Sequence, residues 1–245
     1  MPRPVLLVAG GSRGIGAATA KLAGAAGYDV AVNYNSNANA AAGVVEAVRT
    51  SGGKAVALAG NMGVEADIER VFAQAAKELG PVTHFVHSAG IIGPNSRLDE
   101  ADAATIRDVL DVDTFGALLC LRACIRTMST KHGGKGGSVV MLSSMAATLG
   151  GGNECIWYAA AKGGVDSMVI GASREVAKEG IRINAVSPGM IDTDIQPPGR
   201  LERLMPMIPV GRAGSAEEVA QAILFLLSDA ASYINGANLR VSGAR

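Results

Sequence analysis

The chain has 245 residues, 49% of them hydrophobic, 18% charged and 4% aromatic, with 32 glycines, a composition too apolar for a disordered segment and long enough for one large α/β domain. Lys plus Arg and Asp plus Glu both number 22, so the formal net charge is zero and no long-range field draws the chain to nucleic acid or an anionic membrane. The three cysteines, Cys120, Cys124 and Cys155, are too few for a disulfide framework and fit a reducing, cytoplasmic setting; the apolar run 5–9 is too short for a signal segment or a span.

A first strand is expected over 5–9. It runs straight into Gly10-Gly11-Ser12-Arg13-Gly14-Ile15-Gly16, and a helix is expected over 14–27. Strand, glycine turn and helix N-terminus together make an anion site. Gly10 and Gly14 allow the tight turn and the close approach of a pyrophosphate to backbone N–H groups, Gly16 lets helix and strand pack closely, and the helix dipole favours the charge. Gly10-x-Ser12-x-Gly14 also matches a nucleophile elbow. On a first strand, however, no earlier strand supplies the second oxyanion donor, and the histidine would have to come from 84, 87 or 132, so that reading is set aside.

The second strand, over 29–34, ends in Asn33-Tyr34-Asn35-Ser36, where a dinucleotide fold that reads NAD sets an acid against the ribose 2′-hydroxyl. No acid stands there. Asp29 lies at the opposite end of the strand, and Arg13 in the glycine turn can face a 2′-phosphate bidentately, so NADP(H) is favoured, with NAD(H) left open. A helix over 37–51, a strand over 54–59, a helix over 64–79 and a strand over 83–88 continue the alternation. His84 and His87 flank Phe85-Val86 without a matching cysteine or carboxylate pair, so no metal site is expected. A single long helix is read over 102–131, then a fifth strand over 138–142 that ends in Ser143-Ser144.

On the next helix, 155–179, Tyr158 and Lys162 are i and i+4 and share one face. A phenol with a pKa of about 10 is a poor acid or base at neutral pH, but an ammonium beside it favours the phenolate, and a serine hydroxyl from the strand end can hydrogen-bond the reacting oxygen. A sixth strand over 182–186 precedes Ser187-Pro188-Gly189. The stretch 190–214 carries four prolines and no clear period; it is read as a mobile segment where a substrate lid would sit, and its mixture of Met205, Met207 and Ile208 with Asp192, Asp194, Arg200 and Arg203 implies only a partly apolar, adaptable pocket. A helix over 215–228 opens with Ser215 and Glu218 spaced as a capping box, and a last strand is expected over 238–241. Strands alternating with helices from end to end give one doubly wound Rossmann sheet of about seven parallel strands, a single dinucleotide-binding domain over 1–245.

The order and spacing of these motifs resemble the short-chain dehydrogenase/reductase family over essentially the whole chain, with 139–212 most similar to glucose-dehydrogenase-like and 3-oxoacyl-carrier-protein-reductase-like members. The resemblance rests on the glycine turn, Ser88-Ala89-Gly90, the Ser-Tyr-Lys set, Ser187-Pro188-Gly189, Tyr233-Ile234-Asn235-Gly236 and Val241-Ser242-Gly243. It implies catalysis by Ser144, Tyr158 and Lys162, a cofactor site that includes Asn61-Met62 at the adenine, Ser88, Ala89, Gly90, Pro188 and Gly189, and a nicotinamide amide held by Ile191 with Thr193. It also implies a homotetramer, which the small and apolar residues Ala117, Leu118, Leu121, Ala159, Gly163 and Met168 on the two long helices support.

The chain departs from the family pattern at Ala9 (usually Thr), at Asn61-Met62 (usually Asp-Val), at His87-Ser88 (usually Asn-Asn) and at Asp113, which stands where the fourth catalytic position is usually Asn. A carboxylate at 113 beside Lys162 would counteract the lysine's effect on Tyr158. The expected function is an NADP(H)-dependent oxidoreductase that interconverts a small-molecule carbonyl and a secondary alcohol. The alternative is a catalytically impaired NADP(H)-binding regulatory or scaffold protein of the same fold.

Overall fold

Val5–Ala9 is apolar and buried at every position, as a strand covered by helices on both faces must be. This strand, β1, belongs to a seven-stranded parallel sheet with β2 (Asp29–Tyr34), β3 (Ala55–Ala59), β4 (Val82–His87), β5 (Gly137–Leu142), β6 (Ile181–Pro188) and β7 (Asn238–Val241), in the order β3-β2-β1-β4-β5-β6-β7. The computed structural model describes residues 3–196 and 199–245. The chain leaves β1 toward β2 and β3 on one side and returns to β4 on the other, so strand order reverses between β1 and β4. The crevice outside their carboxyl ends is where such sheets take ligands.

Alternate residues of each strand feed two cores. Leu6, Val8, Val30, Val86 and Val140 pack against α1 (Gly14–Ala25), α2 (Ala38–Thr50) and α9 (Ala216–Leu227). Leu7, Phe85, Val139, Met141 and Ile183 pack on the other face against α3 (Glu65–Leu79), α5 (Ala117–Met128) and α7 (Ile156–Val176). His84 and His87, three apart on β4, therefore divide between the faces: His84 meets Tyr28 edge-on at 5.1 Å, and His87 lies 6.3 Å from Phe85. Among the described residues no helix is long and apolar enough to cross a membrane.

Three stretches differ from expectation. The single helix over 102–131 is instead α4 (Ala103–Leu110), a π-helical turn Asp111–Gly116, and α5. The widened turn sets Gly116 against the chain beyond β3, where a Cβ would come within 2.0 Å of the Met62 carbonyl oxygen. β6 runs two residues past 186, pairing Pro188 with Val241 at the strand end. The stretch 190–214 carries structure of its own: Ile191 bridges to Gly214, α8 (Arg200–Leu204) and a 3₁₀ turn Met205–Met207 follow, and Met190, Leu204 and Ile208 are buried together. Two of its prolines, Pro197 and Pro198, lie outside the described residues.

Candidate active site

A cleft of about 940 Å³ opens at the carboxyl ends of the strands, from the glycine turn at one end to the 190–207 stretch at the other. Gly10 has φ +72°, and a Cβ on it would lie 2.6 Å from the Ala89 nitrogen; a Cβ on Gly16 would lie 2.2 Å from the Gly10 carbonyl oxygen. Only glycine lets β1, β4 and α1 meet this closely. Among the described residues no side chain caps the first turn of α1, whose N–H groups follow Arg13 and remain as donors at the cleft floor. Ser12, Arg13, Gly14 and Ile15 line the cleft here, so the residues present fit a pyrophosphate.

Beyond the turn, Asn33 is buried and acts as a clamp: its Oδ1 accepts the Gly10 N–H at 3.1 Å while its Nδ2 donates to the carbonyls of Leu58 and Gly60 at 3.2 and 2.9 Å. Tyr34 and Asn35 line the cleft past it. Asp29 sits at the far end of β2, accepting the Lys54 N–H at 2.8 Å and pairing with Arg3. Asn61 closes its own turn, with Oδ1 accepting the Gly63 N–H at 2.9 Å, and the Met62 side chain packs into the core with Sδ 3.9 Å from Cys120 Sγ. Across the cleft Pro188, Gly189, Ile191 and Thr193 form the facing wall, with Thr193 close against Gly14, where a Cβ would lie 3.6 Å from its Cγ2.

At the end of β4 the Ser88 N–H donates to the Ala9 carbonyl at 2.9 Å and carries the pairing with β1 past His87. His87 is fully buried, and neither ring nitrogen has a partner among the described residues. Burial, with the Lys162 charge adding to it, pushes its pKa down to about 3, so the ring is neutral. Trp157 Nε1 donates to the Ile92 carbonyl at 2.7 Å and pins the loop that follows Gly90.

Tyr158, Lys162 and Ser144 come together on the cleft wall. Lys162 Nζ lies 5.5 Å from the centre of the Tyr158 ring and donates to the Leu142 carbonyl at 3.1 Å. The Ser143 hydroxyl, from the end of β5, donates to the Lys162 carbonyl at 3.2 Å, and the Ser144 Oγ accepts the N–H of Ala146, the first residue of α6 (Ala146–Leu149), at 3.1 Å. The π turn drives Asp113 inward until it has no exposure: Oδ1 accepts the Ile91 N–H at 2.8 Å, and Oδ2 stands 3.2 Å from Lys162 Nζ. A Cβ on Gly90 would lie 2.9 Å from that Oδ2, so the contact needs glycine there.

Burial alone would lower the Lys162 pKa, but Asp113 and Tyr158 carry it above the ordinary lysine value, so the ammonium stays charged. The Tyr158 phenol goes the other way from the simple expectation. Desolvation raises its pKa, the lysine's pull opposes this, and Asp113 adds to the rise, leaving the net direction upward. The lysine effect read from the helical spacing is therefore present and outweighed.

Three residues at the substrate end were not singled out as site residues. Glu154, two residues before α7, takes Arg200 NH2 at 2.7 Å and Arg203 NH2 at 2.5 Å, and all three line the cleft with Met145, Leu149 and Met207. Glu154 and Arg200 are 46 residues apart in sequence, with no local pattern linking them. The only signal was the density of arginines in the 190–214 stretch.

A family model described as enoyl-(acyl carrier protein) reductase matches residues 9–243. The chain is 42% identical to an uncharacterized oxidoreductase, YgfF, of Escherichia coli (strain K12), with 98% of this chain and 99% of that protein covered. It is 37% identical to the cis-4-hydroxycyclohexanecarboxylate dehydrogenase of Sinomonas cyclohexanicum over 98% of this chain and 95% of that protein. Among solved structures, the short-chain dehydrogenase/reductase from Serratia marcescens BCRC 10948 superposes with a TM-score of 0.92 at 28% identity, covering 99% of this chain and 98% of that one. With a seven-stranded parallel sheet and these relatives, the chain belongs to the short-chain dehydrogenase/reductase family and is an oxidoreductase of CH–OH and C=O groups.

Proposed function

We propose that this oxidoreductase uses NADP(H) and that Tyr158 is its general acid and base. The carrying observation is the meeting of Tyr158, Lys162 and Ser144 on one wall of a cleft whose floor is an uncapped helix N-terminus. Nicotinamide, when bound, supplies or accepts the hydride. The Tyr158 hydroxyl gives its proton to the carbonyl oxygen of the substrate as that oxygen becomes an alcohol, and takes it back in the reverse direction. The Ser144 hydroxyl, its lone pair already held by the Ala146 N–H, donates to the same oxygen and orients it. A phenol whose pKa lies above its ordinary value is protonated at neutral pH, which suits the acid's part in carbonyl reduction.

Arg13 beside the helix start, with no acid at Asn33, Tyr34 or Asn35, supports recognition of a 2′-phosphate. The cofactor site so read takes in the glycine turn, the ends of β2 and β3, Ser88 to Gly90, and the Pro188–Thr193 wall. A homotetramer remains the expected assembly. Of the residues that suggested it, Ala117, Leu121 and Ala159 belong to the protein's own core, while Leu118 is exposed together with Phe115 and Ile170.

A second reading, a cofactor-binding protein with impaired turnover, draws on one observation: Asp113 opposes Lys162 at 3.2 Å. One set of assays separates the two. A panel of ketones, aldehydes, sugars and 3-oxoacyl esters followed by NADPH absorbance should find a substrate, and Tyr158→Phe should lower its reduction by ~10²–10⁴ with NADPH affinity unchanged. In fluorescence titrations NADPH should bind more tightly than NADH, and Arg13→Glu should weaken NADPH selectively. No turnover across the panel, with Tyr158→Phe indistinguishable from the parent, sinks the catalytic reading.

A further inference from the structure

The cleft wall between Tyr158 and solvent is apolar without being covered. Leu149, Ile195 and Met207 line it while 54%, 44% and 58% exposed, beside the buried Met145 and Leu204. Exposed apolar side chains gathered in a concave site are the lining of a ligand pocket rather than scattered surface. At its rim the character changes. Arg200 and Arg203, from α8, share the single carboxylate of Glu154, so two cations meet one anion and the cluster carries an excess positive charge. Desolvation works against the Glu154 carboxylate, yet the two guanidiniums hold its pKa below the usual range, so it is ionised and the count stands.

The donors of this cluster are not all used. Arg200 spends NH2 on Glu154 and NH1 on Gln196 Oε1 at 2.8 Å, and its buried Nε finds no partner among the described residues. Arg203 spends NH2 on Glu154 while 57% of its side chain remains exposed. Asp194, the acid of the same stretch that also lines the cleft, is exposed and pairs with neither guanidinium among the described contacts. The exposed guanidinium of Arg203, with the charge of Arg200 beside it and an apolar wall next to both, is the chemistry that recognises a carboxylate on an otherwise apolar molecule.

Resting on the oxidoreductase reading above, we infer that the substrate is a small oxo acid, or the matching hydroxy acid: an apolar chain or ring with its reacting carbon at Tyr158 and its carboxylate on Arg200 and Arg203. Glu154 stands two residues ahead of α7 and Tyr158 lies in its first turn, and both line the one cleft together with Arg200 and Arg203.

Two measurements test this. The first compares levulinate and 4-oxocyclohexanecarboxylate with their methyl esters, with NADPH, on the parent, on Arg200→Met and on Arg203→Met. The parent should favour acid over ester by about tenfold or more in kcat/KM, the size of one charge-assisted hydrogen bond, and each substitution should collapse that ratio. If the cluster only clasps α8 to the start of α7, acid and ester fall together and the ratio is unchanged, which overturns the inference while leaving the oxidoreductase reading intact. The second measurement needs no turnover: calorimetric titration of the parent with cyclohexanecarboxylate against cyclohexanecarboxamide. The acid should bind more tightly by a similar factor, and Glu154→Gln, which frees both guanidiniums, should tighten the acid further. Equal binding of acid and amide overturns the inference whatever the fate of the catalytic reading.

Discussion

Asp113 makes two contacts that pull in different directions. Its Oδ1 holds the Ile91 N–H, which an amide oxygen would do equally well, while its Oδ2 puts a charge beside Lys162 that an amide would not. Asp113→Asn should therefore keep the loop and move the chemistry. Removing the carboxylate removes one cause of the raised Tyr158 pKa, so the phenolate forms at lower pH and the pH profile of alcohol oxidation should shift to the acid side, with turnover equal or higher. An unshifted profile in the variant would sink this account. The position of Asp113 was legible only through the family resemblance, because it and Lys162 are 49 residues apart and meet through tertiary packing. That Tyr158 and Lys162 share one face, by contrast, was legible from helical spacing, although spacing of that kind is common on exposed helices and it was the glycine turn ahead of it that gave the pair weight. What spacing could not supply was the sign of the net effect, since desolvation depends on everything packed around the phenol.

The strands were the legible elements, and for a physical reason: a parallel strand buried on both faces must be a short apolar run, and each such run here ends at Gly, Ser, Pro or Asn. Helices joined by α-like turns were not. The residues on either side of the π turn, Leu110 and Ala117, both have right-handed helical backbone angles, and no proline marks the turn, so 102–131 read as one helix. That hidden turn aims Asp113 at Lys162. The start of α9 was legible in detail. Ser215 Oγ accepts the Glu218 N–H at 3.2 Å, and the Glu218 carboxylate takes the Ser215 N–H at 2.8 Å, the reciprocal box expected from their spacing. Ser215→Ala should cost about 1 kcal/mol and lower Tm by a few degrees with cofactor binding unchanged. A melting curve that superposes on the parent's would show the box to be idle.

For the molecule as a whole, the half-buried His84 and the fully buried His87 set an acid limit. Burial pushes the pKa of His84 down to about 4 and that of His87 to about 3, against 6.5 for the free ring. The unfolded chain therefore binds protons below pH 6.5 that the folded chain refuses, and stability falls as pH drops from 6.5 through 4 toward 3. Denaturant midpoints across that range should fall more steeply for the parent than for His87→Asn; parallel lines would remove His87 from the account. Phe115, Leu118 and Ile170 are exposed on neighbouring elements, and the proposed homotetramer would cover them. Sedimentation at micromolar concentration should find an oligomer, and a species of 24.8 kDa alone would refute it. The sheet order also governs how the chain reaches this state. Every pairing is parallel, so no hairpin can nucleate the sheet, and β1 must wait for β4, with two strands and three helices between them in sequence. Contact order is therefore high and folding slow. A chain emerging from the ribosome would carry β1, β2 and β3 with one flank of β1 unpaired until β4 is made, a sticky half-sheet and the stage at which aggregation or chaperone capture competes with folding.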